Sequence, residues 1–117
     1  MRRYLIVGLL LAALAIPATA AAAILHEPHQ NSKCPVSGVT GWHFVNNQYG
    51  NANPANVQLT AVFSTGTIGP IGSTKWNNGT IHWTVFTPSG ATLITAQTTI
   101  GGVQVAGNLV LSDCFKK

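Results

Sequence analysis

Charge is what this sequence has least of. Only 7% of its 117 residues are Asp, Glu, Lys or Arg, against roughly 25% in an average soluble domain. The whole acid complement is Glu27 and Asp113. Glycoside hydrolysis needs two carboxylates facing each other across a bond. Glu27 sits ahead of the patterned part of the chain and Asp113 beside a cysteine, so neither has an evident partner. A hard cation such as calcium wants several carboxylates, and a serine hydrolase of the G-x-S-x-G type would need an elbow that is missing. No enzyme and no cofactor are expected. Base is scarce too. The only arginines are Arg2 and Arg3, and beyond them Lys33, Lys75, Lys116 and Lys117 stand against Glu27 and Asp113, four minus two, or +2. Without arginine or a lysine cluster there is no electrostatic footprint for nucleic acid. Methionine is confined to Met1, so a Met-rich copper-chaperone pattern is absent.

What is present begins with an export-like segment. Met1-Arg2-Arg3 is a short basic start, Tyr4–Ile16 is apolar, and small residues follow Pro17. Ala18-Thr19-Ala20 and Ala21-Ala22-Ala23 both fit the A-x-A cleavage rule of secretory signals. The expected division is a signal peptide over 1–23, a flexible lead-in over 24–33 and a folded domain over 34–117, with cleavage after Ala20 or after Ala23. Retention as an anchor is the alternative, because the run from Tyr4 to Leu25 is just long enough to span a bilayer. After cleavage no membrane partner is expected, and the chain is placed outside the cytoplasm, secreted, at the cell surface or in the periplasm. In such a compartment two cysteines imply a disulfide. Cys34 and Cys114 would then staple the domain from end to end.

The folded region reads as strand. Trp42–Val45 is aromatic and branched, while Val57–Phe63 and Thr80–Phe86 alternate apolar with polar residues, the period of a half-buried strand. Ala91–Thr99, Val103–Val105 and Asn108–Ser112 complete the set, and Pro88-Ser89-Gly90 fits a type I turn. No helical period is found outside the signal. Short strands at about ten-residue spacing predict an all-β fold, a single small antiparallel β-sandwich of Ig-like or prealbumin-like kind with one disulfide. The cysteines lie at the ends of the domain rather than within it, unlike a true immunoglobulin domain.

Two stretches, Asn46–Asn56 and Thr65–Gly79, read as long connections, where function tends to gather. Trp76 lies in the second, between Lys75 and Asn77-Asn78-Gly79. An exposed indole flanked by amides suits stacking on a sugar or contact with a protein, and Tyr49 in the first stretch is a candidate partner. The other reading has Trp76 folding back as a lid over the core. Asn78-Gly79-Thr80 also matches a glycosylation sequon, though Asn-Gly is first of all a hairpin turn. Among the histidines, His26 and His29 lie three apart. Cleavage after Ala23 would begin the chain Ile24-Leu25-His26, a spacing that can chelate Cu(II) in a square plane. His43 and His82 fall on strands and could meet on one face as a second ligand pair, or be ordinary half-buried strand residues.

Gly41-Trp42-His43-Phe44-Val45, the asparagine-rich loop after it and the ending Leu109-Val110-Leu111-Ser112-Asp113-Cys114 resemble short secreted bacterial β-sandwich modules of unassigned role. The resemblance spans the expected mature domain and implies no active site. Three functions fit these residues. The first is a non-catalytic surface module, structural or adhesive, that works by association with a protein or with itself. The second is a small carbohydrate-binding module using Trp76, Asn77, Asn78 and Tyr49. The third is an extracytoplasmic Cu(II) binder using His26 and His29.

Overall fold

A computed structural model describes residues 23–117; all but the last residue of the expected signal peptide, and cleavage after Ala20, lie outside these residues. Among the described residues the chain forms nine strands in two antiparallel sheets. They are β1 (Ser32–Lys33), β2 (Thr40–Asn47), β3 (Gln58–Phe63), β4 (Gly66–Gly72), β5 (Lys75–Asn77), β6 (Thr80–Thr87), β7 (Thr92–Ile100), β8 (Val103–Gln104) and β9 (Asn108–Lys116). One sheet runs β9-β2-β6-β5, the other β1-β7-β3-β4 with β8 hairpinned onto β7. The expected sandwich is present.

The alternation seen in the sequence sets the two faces. In β3, Leu59, Ala61 and Phe63 are buried while Gln58, Thr60 and Val62 are only partly covered. In β6, Ile81, Trp83 and Val85 point inward. These side chains meet Trp42, Phe44, Leu93, Ala96 and Leu109 in one core cluster. Trp42 tilts against Phe63 of the opposite sheet with ring centroids 5.2 Å apart, and its indole N–H donates to Thr87 Oγ1 at 2.8 Å. Buried indoles usually need such a partner; the N–H of Trp83 has none among the described residues. A second polar tie crosses the interior where the Asn46 amide donates to Thr98 Oγ1 at 3.1 Å.

The segment 24–33, expected as a flexible lead-in, is instead built into the fold. Ile24 bridges antiparallel to Gln97 of β7, and Leu25 bridges parallel to Leu109 of β9. Ala23 N–H donates to Val105 O, Leu25 N–H to Ala96 O and His26 N–H to Leu109 O, at 2.7–2.8 Å. Leu25 is 2% exposed and Ala23 fully buried. Sealing a leucine contributes roughly 1.5–3 kcal/mol, and the backbone bonds satisfy strand edges that would otherwise be open. The reason is long-range pairing with β7 and β9, which no local pattern announces. A short 3₁₀ turn, Glu27–His29, then leads to β1, and just beyond it Cys34 is bonded to Cys114 of β9 with Cα atoms 6.1 Å apart.

The stretch 65–79, expected as a long connection, contains β4 and β5. Gly-Thr-Ile-Gly-Pro-Ile-Gly has little strand propensity, since glycine and proline weaken strands. It lies at a sheet edge, where a proline lacking N–H is tolerated. Ile68 and Ile71 pack against the core from that edge.

Candidate functional site

The two lateral sides of the sandwich differ. On one, residues 23–34 run between β7 and β9, and the disulfide fixes their far end. On the other, β4 and β5 are the last strands of their sheets, with no strand beyond either among the described residues. The two are consecutive in the chain and make one open side.

Trp76 stands on that side. In register it faces Ile81, a buried core residue, so its side chain points toward the layer between the sheets. Because β5 is the edge and only three residues long, little of the opposite sheet reaches over it, and the indole is 50% exposed. Lys75 and Asn77, on the outer face of β5, pair with His82 and Thr80, and Asn78 occupies the turn that follows. Tyr49 is partly buried against the core cluster, and among the described residues no ring contact joins it to Trp76. Trp76 is thus half-exposed at the sheet edge, whereas Tyr49 belongs to the packing.

A second constellation lies on the outer face of the same sheet. His43 Nδ1 is 2.9 Å from Asp113 Oδ1, and His43 Nε2 is 2.9 Å from His82 Nδ1. His82 Nε2 is 3.2 Å from Thr80 Oγ1, whose hydroxyl also contacts Asn77 Oδ1. The imidazole planes lie within 15° of each other with centroids 5.1 Å apart. The N···N bond and the two ring radii nearly fill that separation, so the rings meet edge to edge rather than stacking.

Three strands build this row. His43 and His82 sit on the neighbouring strands β2 and β6, one diagonal step apart, where side chains on one face remain within reach. Asp113 arrives through a bulge: pairing between β9 and β2 shifts after Leu111, so that Asp113 rather than Ser112 stands opposite His43. Bulges re-aim side chains in this way. The pKa of His82 is pushed below the ordinary histidine value, first by burial and then by His43 and Lys75.

His26 and His29 are differently employed. Their rings meet edge to face at 5.0 Å, and His29 Nδ1 accepts the Leu111 N–H at 3.1 Å, at the start of the bulge. Square-planar chelation through Ile24-Leu25-His26 would use the amide nitrogens of Leu25 and His26. Both already donate across the seam, to Ala96 O and Leu109 O, and cleavage after Ala23 would remove the bonds Ala23 makes to Val105 and Thr98. The geometry gives the amino-terminal copper reading no support.

No protein-family model, no curated protein and no solved structure matches this chain.

Proposed function

We propose that this chain is a non-catalytic binding module that works by association, outside the cytoplasm, through its open side. The observation behind this reading is the asymmetry of the sandwich. One side is closed by residues 23–34 and a disulfide, while among the described residues nothing covers β4, β5 and a half-exposed Trp76 on the other. Unpaired strand edges are templates for another strand, and exposed tryptophan is the side chain most enriched at binding hot spots. The disulfide suits an oxidising compartment. No helix among the described residues is long and apolar enough to cross a membrane. The occupant that best fits a nearly uncharged surface is a second copy of the chain.

Sedimentation across a range of concentrations tests this. Assemblies that grow with concentration, and that Trp76→Lys returns to monomer, are expected. A wild-type chain that stays monomeric at millimolar concentration removes the self-association reading. The exposed indole flanked by Asn77 favours a second reading, a carbohydrate-binding module. Its test is co-sedimentation with insoluble polysaccharides and cell-wall fragments. Binding that vanishes in folded Trp76→Ala would establish it, and absence of binding would discard it.

A further inference from the structure

We propose that His43 and His82 form a metal site for a borderline divalent ion, Cu(II) foremost, on the outer face of the β9-β2-β6-β5 sheet. Asp113 and Thr80 would hold the two rings from behind.

The hydrogen-bond row is the first ground. Ionised Asp113 can only accept, so its bond places a proton on His43 Nδ1, and in the neutral imidazole Nε2 then carries a lone pair. The 2.9 Å contact between His43 Nε2 and His82 Nδ1 then requires the His82 proton on Nδ1, which makes His82 Nε2 an acceptor. Thr80 now stands between two acceptors, His82 Nε2 and Asn77 Oδ1, with one hydroxyl proton to give. Unless the Asn77 amide turns round or His43 carries a second proton on Nε2, one contact goes unmade.

A metal ion between the rings satisfies the same row without an added proton or a turned amide. With Nε2 of His43 and Nδ1 of His82 both ligating, the His82 proton moves to Nε2 and donates to Thr80 Oγ1. The Thr80 hydroxyl then donates to Asn77 Oδ1, and His43 Nδ1–H keeps its bond to Asp113. No proton is gained or lost, and every donor has one acceptor.

The second ground is spacing. At metal–nitrogen distances of roughly 2.0–2.1 Å, two neighbouring ligands in a square plane stand about 2.9 Å apart. The facing nitrogens have this separation already; their lone pairs lie along the N···N line, so each ring must turn by about 45° for both to meet at one ion in a square plane. The third ground is the outer partners. Metal-bound histidines nearly always give their other ring N–H to a carboxylate or an oxygen, which fixes tautomer and orientation. His43 has Asp113 and His82 has Thr80. Among the described residues no third His, Cys, Asp or Glu joins as a ligand, so the remaining positions face water or a ligand on a partner. Imidazole suits copper, which stands highest in the divalent affinity order.

The test is titration of the purified, disulfide-intact chain with Cu(II), followed by NMR of the histidine ring protons and by electron paramagnetic resonance. Substoichiometric copper is expected to broaden His43 and His82 before His26 and His29, with saturation at one equivalent and a two-nitrogen signal. His43→Gln and His82→Gln are expected to lose this binding. Asp113→Ala should weaken it about 10–100-fold, the usual cost of losing an outer partner; His26→Gln should leave it unchanged. Failure to saturate, or broadening that begins at His26 and His29, overturns the proposal. The wild-type broadening pattern decides the matter even if a variant fails to fold.

Discussion

The two sides of this sandwich solve the same problem in opposite ways. A sheet edge exposes unpaired backbone groups, and each protein must cover them, blunt them or use them. On the β7/β9 side the chain covers them with its own residues 23–34, bonding Leu25 and His26 to opposite sheets and anchoring the end through Cys34–Cys114. On the β4/β5 side it blunts them only in part, with Pro70 and three glycines in β4 and a β5 of three residues. Closure is expensive to undo and openness is cheap to alter, so mutations on the two sides should separate into stability and binding.

The largest effect is expected at the staple. Replacing Cys34 and Cys114 together by Ala should lower unfolding free energy by about 4 kcal/mol, because the bridge closes a loop of 80 residues in sequence. Urea titration of oxidised wild type against the double variant measures it, and a loss below ~1 kcal/mol would mean that packing alone holds the seam. Next comes Leu25→Ala, which should cost roughly 2–5 kcal/mol as a buried large-to-small change. A genuinely flexible lead-in would show almost no loss, so this variant separates the two views of residues 24–33.

A smaller effect should follow pH in the metal-free protein. His82 has its folded pKa depressed below the ordinary 6.5, so the unfolded chain binds the proton more readily. The contribution of His82 is then fully present above about pH 6.5 and declines as pH falls through the folded pKa. Chemical denaturation at several pH values should show this decline, and His82→Gln should flatten it. A modest change in stability belongs to Trp76→Ala, expected at about 1–2 kcal/mol because half the indole is already in water. The same variant should have the greatest effect on association. If it unfolds the domain, the contrast between closed and open sides collapses.

The strands were largely legible in the sequence because alternation is a local signal. Val57–Phe63 and Thr80–Phe86 carry it, and both lie close to β3 and β6. β4 and β5 were not legible, since Gly66–Gly72 has the composition of a loop and gains its strand geometry from pairing with β3. Leu25 was hidden for a related reason: its partner Leu109 lies at the other end of the chain. At the candidate sites, Trp76 declared itself by standing apolar among polar residues. The meeting of His43 and His82 could be anticipated from their strands, whereas Asp113 could not, because a bulge after Leu111 brings it into place. Bulges leave no reliable mark in one sequence.

The seam formed by residues 23–34 also sets a schedule. Its partner strand β9 is the last to emerge when the chain is delivered from its amino end, by a ribosome or through a pore. Until then Leu25 has no Leu109 and Cys34 no Cys114. The sandwich thus cannot lock on a partly delivered chain: the order in which its ends meet keeps the seam open until β9 arrives.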